Sequence, residues 1–457
     1  MKSKITIMGH AGLYIEAGAE RILVDPLLRT SALASGTVVH SYTRELNLEA
    51  MPSPTLGVIT HGHLDHFDPE SLRRLDRRLP LVVPNDPAMQ HALRELGFQQ
   101  LITLNPWETH RADGVALTAT PSHAEIDEWG VLFEASEARF LHHADAEPSL
   151  EDAQRVRRER GEIDVTSVKF QPASPGHGVL RALGPYFDKR HVLEWLECAA
   201  ELGAELSFPY ASGVQFSGRH AWMNDYAFPF QSNEIAALLS PRLASPPGAE
   251  STPTRRVECV LPGDVIEFAP RHAQRFPQAS RFVRHVEDGH GEPVWRPFDQ
   301  ATLEGLSSDA EREELEERLE AFLRDEIAPW IAMRRDEEGS PIQSYVKYGV
   351  VYQMSVHVGA GQQLNYAIDF RNKLSLTAEW HPEANYFAHL SGRSLLEVLR
   401  GNAGPELFYM SGDVRLYEKI LWVQNGKFGM PNVRGWDLFE RLPEPVTHYL
   451  RHTRDAH

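Results

Sequence analysis

Cysteine is nearly absent from this chain, with two in 457 residues. Cys198 and Cys259 stand alone, outside any CxxC or Cys-x-His spacing. This speaks against a disulfide scaffold, a cysteine-ligated structural zinc and an iron–sulfur cluster, and for a reducing compartment. Basic charge is also short. Lys plus Arg number 46 against 64 Asp plus Glu, a net charge of −18, and such a surface repels phosphate backbones. The basic run Arg73, Arg74, Arg77 and Arg78 is interrupted by acid, so nucleic acid is not an expected partner. Long apolar runs are missing too. No stretch approaches the roughly eighteen residues of a membrane span, and Met1 to Gly9 has no signal-peptide pattern. The expectation is a soluble, unprocessed, cytoplasmic protein.

What is present is a regular exchange of strands and helices. At roughly 100–200 residues per domain the length allows two or three domains. Ile5 to Met8, Leu13 to Glu16 and Arg21 to Val24 read as a strand meander closing on Asp25-Pro26, and Leu56 to Thr60 as a further apolar strand. Pro69 to Leu79 and Asp86 to Leu96 have helical spacing. Strands are expected at Leu81 to Val83, Val115 to Thr120, Val131 to Glu134 and Arg139 to His142. Helices are expected at Glu151 to Arg160 and His191 to Leu202, the second ending at Gly203. Ser240 to Thr254, rich in Pro and Ser, marks a boundary, and Ser308 to Arg335 opens with capping-box spacing and continues as a charged helix. Tyr345 to His357, Leu364 to Phe370 and Leu374 to Trp380 alternate as strands, followed by a helix at Ser394 to Leu399. The division expected is a metal-binding α/β domain over 1–240, a linker with a long charged helix over 241–340, and an α+β accessory domain over 341–457.

The chemistry lies in Thr60-His61-Gly62-His63-Leu64-Asp65-His66, directly after an apolar strand. Four ligand-type side chains within six residues, on a turn free of ladder bonds, can converge on one point. His61 and His63 suit one ion, and Asp65 and His66 a second beside it. Two adjacent ions can polarise an oxygen substrate or activate bound water.

The HxHxDH motif, with Gly9-His10-Ala11 and Leu23-Val24-Asp25-Pro26 before it, resembles the metallo-β-lactamase fold superfamily over roughly residues 1–230. The resemblance implies a four-layer αβ/βα sandwich with two metal ions at one edge of its sheets. It implies that Pro121-Ser122-His123 supplies the third histidine and Leu141-His142-His143-Ala144-Asp145 the bridging aspartate. His61, His63 and His123 then hold one ion, Asp65 and His66 the other, with Asp145 between them and Asp65 and Asp145 nearest the reaction. Asp25 is expected to order the metal loop. Glu125 is a candidate for a supporting or substitute role.

The pattern departs from many hydrolases of that superfamily after Ala204 to Pro209, where Tyr210-Ala211-Ser212-Gly213 follows and no histidine stands. Tyr210, His220, Asn224 and Asp225 are the candidate substitutes. Fewer imidazoles and more carboxylate suit iron or manganese better than zinc. Pro209 to Asp225 and the C-terminal region are similar to CMP-N-acetylneuraminate hydroxylase-like and other oxygenase-type members, including the diiron β-hydroxylase of chloramphenicol biosynthesis. In that hydroxylase a glutamate takes the third-ligand position, where this chain offers His123. The resemblance implies a diiron oxygenase using dioxygen on a small molecule with an apolar part. Because the hydroxylase relatives carry a Rieske cluster that two isolated cysteines cannot build, electrons would come from a separate electron-transfer protein. The alternative is a zinc-dependent hydrolase of an ester, lactone, amide or phosphodiester. Trp107, Trp129, Trp222 and Tyr226 are candidates for an apolar pocket or for core, and Ser391 to Leu421 is similar to sterol-carrier-type domains.

Overall fold

The computed structural model describes residues 2–31, 38–63, 65–124, 127–171, 189–218, 221, 224, 228, 230–243, 255–287, 291–292, 303–335, 337, 340–371, 375–402, 413–418, 422–424 and 427–429. Two sheets dominate it. The first has eight strands in the order His272–Phe276, Val265–Ala269, Ser3–Gly9, Gly12–Ala17, Glu20–Val24, Leu56–Val58, Leu81–Pro84 and Leu101–Leu104. The second has seven, from Arg256–Val257 through Leu206–Pro209, Val165–Val168, Ala138–His142, Trp129–Ala135 and Val115–Pro121 to Thr109–Ala112.

Strand periodicity of two explains how the sheets meet. Ile5, Ile7, Leu13, Ile15, Ile22 and Val24 of the first sheet share one core with Leu117, Val131, Phe133, Phe140 and Phe208 of the second. Several of the intervening positions, facing outward, are buried as well. Tyr14 and Leu23 pack with Met89 and Leu93 of the helix Pro87–Glu95, and Leu132 and Leu141 with Ala153 and Val156 of the helix Leu150–Arg160. Helix, sheet, sheet and helix therefore form the four expected layers. Trp129, one of the candidate pocket residues, lies 1% exposed in the inter-sheet core. Trp107 packs beside the helix Leu150–Arg160 with the Arg155 guanidinium 4.0 Å over its ring, and Trp222 and Tyr226 lie outside the described residues.

Three expected elements need correction. Helical spacing over Pro69 to Leu79 yields a helix only at Pro69–Leu72, because the Arg77 guanidinium donates to the carbonyls of Leu72, Leu75 and Arg73 and closes the turn. Tyr345 falls in a helix, Pro341–Lys347, capped by the Ser340 side chain, and the strand begins only at Val351. The charged helix runs over Asp309–Phe322 and passes through a π turn at Leu323–Ile327 before Ala328–Arg334, where Pro329 has no N–H to continue the ladder.

The stretch expected to be linker also contributes strands. Val265–Ala269 pairs antiparallel with Ser3–Gly9, and Arg256–Val257 extends the second sheet beside Leu206–Pro209. Asp264 anchors this addition. Its carboxylate, 0% exposed at the residue level, accepts from the backbone N–H groups of Leu261 and Gln278 (3.0 Å each) and from Arg275 Nε (2.7 Å). Its own carbonyl accepts from Ile7 N at 3.0 Å.

Beyond residue 303 the chain builds a second hydrophobic core. A five-stranded sheet, ordered Ser375–Thr377, Gln362–Asp369, Val351–Gly359, Tyr386–Ser391 and Val414–Glu418, packs Tyr352, Met354 and Val356 against Leu315, Leu319, Leu395 and Leu396. The apolar side of the helix Gly392–Arg400 is thereby filled by its own sheet.

Asp264→Ala strips the Leu261, Gln278 and Arg275 donors of their acceptor and should cost about 3 kcal/mol. Urea denaturation of the sandwich checks this, and an unchanged midpoint would mean that the 265–276 hairpin is dispensable to the first sheet.

Candidate metal centre

The C-terminal ends of several strands meet at one edge of the sandwich. Glu20–Val24 delivers Asp25 there, Leu56–Val58 delivers Thr60 to His66, Ser3–Gly9 delivers His10, and Ala138–His142 delivers Asp145. Asp25 is 0% exposed. One carboxylate oxygen accepts from Thr60 N (2.8 Å), and the other accepts from Thr60 Oγ (2.7 Å) and faces His66 Nδ1 (2.9 Å). These contacts assign the rings. His66 carries its proton on Nδ1 toward Asp25, so Nε2 is left for the site. Thr60 gives its hydroxyl proton to Asp25 and is an acceptor for His61 Nδ1 at 3.1 Å, so His61 likewise turns Nε2 to the site.

Two groups of donor atoms result. His61, His63 and Asp145 bring one ligand atom each to within 4.8 Å of one another, and so do His10, Asp65 and His66. His61 Nε2 lies 2.9 Å from His63 Nδ1, about the spacing of two nitrogens each near 2.1 Å from one ion at right angles. Asp145 Oδ2 lies 3.5 Å from His66 Nε2, which joins the two groups. The Nε2 atoms of His66 and His10 are buried and make no hydrogen bond among the described residues. Such orphaned atoms are the expected mark of donors meant for an ion.

The electrostatics agree. Burial opposes a charged His66, but Asp145, Asp65 and Asp25 outweigh it and hold the ring well above the ordinary histidine value. Burial would raise the carboxyls of Asp65 and Asp145, yet the neighbouring histidines hold both well below the usual carboxylate range. His61 is pushed well down by burial and by the charges of His66 and His63. The oxygens are thus anionic and suited to a cation, while His66 must release a proton before its Nε2 can bind one.

Residues 20–208 match the family model for the Beta-lactamase superfamily domain. This part of the chain belongs to the metallo-β-lactamase fold superfamily. Among curated relatives, it is 28% identical over 182 residues to a protein that bears the name Rieske 2Fe-2S iron-sulfur protein in Mycolicibacterium smegmatis, covering 37% of this chain and 34% of the relative. It is 33% identical over 119 residues to a UPF0173 metal-dependent hydrolase of Methanosphaerula palustris, covering 26% of this chain and 43% of that one. The matched stretch thus spans about a third of the first relative's length. Solved structures with a similar fold include Igni18, a metallo hydrolase of Ignicoccus hospitalis, at 18% identity and TM-score 0.42 over 59% of this chain and 99% of that one. CmlA, a diiron β-hydroxylase of Streptomyces venezuelae, matches at 20% identity and TM-score 0.37 over 53% and 51%.

Against the superfamily pattern, His123 is the clearest departure. Its side chain is 57% exposed, and its Nε2 lies 2.7 Å from Asp152 Oδ2, outside both donor groups. Asp152 belongs to the capping box of the helix Leu150–Arg160, and this fixed carboxylate holds the ring away. A carboxylate that sequence reasoning passed over lies nearby. Glu128, directly before the inner strand Trp129–Ala135, is 7% exposed, accepts from Ser122 Oγ at 2.6 Å and feels the charges of Lys169, Asp145 and His63. The only sequence signal for it is an acid abutting a core strand.

The neighbours of Asp145 point elsewhere. His142 Nδ1 and the His143 amide both meet Ser167 Oγ, at 2.8 and 2.9 Å. The Tyr210 hydroxyl is engaged with backbone, accepting from Gly9 N (3.2 Å) and donating to the Gly12 carbonyl (2.7 Å). Asn224 clamps the backbone of Phe216 with both amide atoms. Glu125, His220 and Asp225 lie outside the described residues. Lys169, 8% exposed, sends its ammonium to the Asp145 carbonyl and to Glu147 Oε1 at 3.4 Å. Sequence reasoning also missed His10, although Gly9-His10-Ala11 was legible as a motif.

Asp25→Asn should weaken metal affinity about 10–100-fold, because an amide cannot accept from Thr60 N, Thr60 Oγ and His66 Nδ1 together. Isothermal titration of the chelator-stripped protein checks this, and undiminished affinity would remove Asp25 from the site's support.

Acid should unfold the metal-free protein early. Burial above all pushes His40 and His143 down to about 3 and His142 to about 4. These rings stay neutral when folded and gain a proton only on unfolding. Stability is therefore complete above pH ~6.5 and falls as pH drops toward 4, by up to about 1.4 kcal/mol per pH unit for each ring. A stability profile that is flat between these limits would contradict the assignment.

Proposed function

We propose that the protein is a dinuclear non-haem iron oxidoreductase that uses dioxygen to hydroxylate a small molecule. One observation carries this reading. His61, His63 and Asp145 bring two histidines and one carboxylate to one point, with His66 and Asp65 beside them, and two histidines with one carboxylate are the donor set associated with non-haem iron that keeps coordination positions open. Two bound irons would supply redox chemistry in which dioxygen, two external electrons and two protons give a hydroxylated product and water.

The chain's own residues orient this site. Asp25 and Thr60 fix the rings of His66 and His61, so that nitrogen lone pairs rather than N–H groups face inward. Asp145 stands between the two groups, and Lys169 holds its loop through the Asp145 carbonyl. Lys169 packs its cation 4.9 Å from the centre of the Trp195 ring. The external electrons would come from an iron–sulfur electron-transfer protein. The likeness to relatives with a Rieske name supports this. A Rieske centre needs two cysteines together with two histidines, while the chain's two cysteines, Cys198 and Cys259, lie 61 residues apart outside any Cys-x-His spacing.

The second reading, zinc-dependent hydrolysis of an ester, lactone, amide or phosphodiester, is supported by the 33% identity to a metal-dependent hydrolase. Metal analysis decides between them. Protein purified without oxygen should carry about two irons per chain and consume dioxygen when given a reductant, and His63→Ala or Asp65→Ala should abolish that consumption with the fold retained. Zinc alone with ester hydrolysis, or full activity in those variants, would overturn the proposal.

A further inference from the structure

We infer that His10, on the turn between the first two strands, supplies the nitrogen ligand that the superfamily's missing last histidine would otherwise give to the second metal position. The inference rests on the dinuclear reading above. Asp65 and His66, with Asp145 Oδ2 3.5 Å from His66 Nε2, make a set of donors short of one nitrogen. The stretch after Leu206–Pro209 does not provide it, because the Tyr210 hydroxyl is committed to Gly9 and Gly12. Those bonds have a second effect. They staple the two ends of the turn on which His10 sits.

Three observations place the His10 ring at the metal position. Its donor atom shares a group with those of Asp65 and His66, all within 4.8 Å, and its ring meets His66 edge to face at 5.0 Å. Nε2 lies 2.9 Å from Asp65 Oδ2 yet makes no aligned hydrogen bond and is buried. Two atoms that close, aimed past each other, have the disposition of two ligands of one ion rather than of a donor and its acceptor. The backbone, finally, is held for this purpose. His10 has φ 51°, a left-handed conformation that a histidine adopts at some cost. Gly213 packs so closely that a Cβ there would lie 2.5 Å from His10 Cα and N.

One contact distinguishes the two roles open to the ring. Gly213 N lies 3.3 Å from His10 Nδ1. With Nε2 on a metal, Nδ1 carries the ring proton and this contact is released. If Gly213 kept its bond, Nε2 would be protonated and His10 would only position Asp65.

The test uses the full chain, stripped by chelation and reloaded with Co(II). Wild type should take two equivalents, and His10→Gln, which keeps an N–H donor but no ring nitrogen, should take one, with the second weakened about 100-fold or more. The Co(II) absorption bands should change while near-ultraviolet circular dichroism stays as in wild type. Cadmium-113 loaded into the wild-type chain gives a measure that needs no variant, since scalar coupling should reach four histidine rings, those of His10, His61, His63 and His66. Two tightly held equivalents in His10→Gln, or coupling to only the other three rings, would overturn the role of His10. Fewer than two equivalents in wild type would instead overturn the dinuclear reading.

Discussion

A buried carboxylate needs partners, and the partners of Asp25 are the metal loop. With no exposure, it must satisfy its charge through Thr60 and His66. Doing so dictates which nitrogen of His66 is protonated and, through the Thr60 hydroxyl, which nitrogen of His61 is. Two of the donors that face the site, His61 and His66, depend on that choice, because a ring turned to present N–H would repel a cation. The aspartate acts from behind the ligands, and its position at the end of an inner strand is set by the inter-sheet core beneath it.

That core explains why distant segments meet. Leu56–Val58 and Glu20–Val24 are parallel neighbours in the first sheet, and Ala138–His142 lies parallel to Val165–Val168 in the second. Burying both faces of both sheets stacks their strand ends along one rim, and loops leaving that rim are free to carry polar side chains. The hairpin at 265–276 completes the first sheet on the far side of Ser3–Gly9, which steadies the strand that carries His10.

The site concentrates several ionisable groups within a few ångströms. Asp65 and Asp145 are held ionised by neighbouring histidines, and His66 is drawn toward its charged form by three carboxylates. Without a cation the cluster balances itself with protons. A cation would take over that balance, which is why metal binding and proton release are coupled at such a centre. His40, His142 and His143 are buried just outside it and remain neutral, so these three rings add no positive charge to compete with an ion.

The sequence by itself determined the alternation of strands and helices and the HxHxDH motif, and the four layers followed only from the family resemblance that this motif carries. Period-two apolar runs and four ligand-type residues within one turn are local patterns, and local patterns survive translation into structure. It also placed Asp25 behind the metal loop, since an acid closing an inner strand has few other uses. Only the tertiary structure decided which distant side chains join that motif. His123 looked like a ligand from its position, but Asp152, a helix cap twenty-nine residues on, holds it outward. His10 was legible only as part of the Gly9-His10-Ala11 motif and Glu128 not at all, yet sheet packing buries both beside the cluster. Val265–Ala269 read as linker because strand pairing with Ser3–Gly9 spans some 260 residues. Contacts of that separation leave no trace in local composition, and burial, which sets hydrogen bonding and charge, exists only once the sheets have closed.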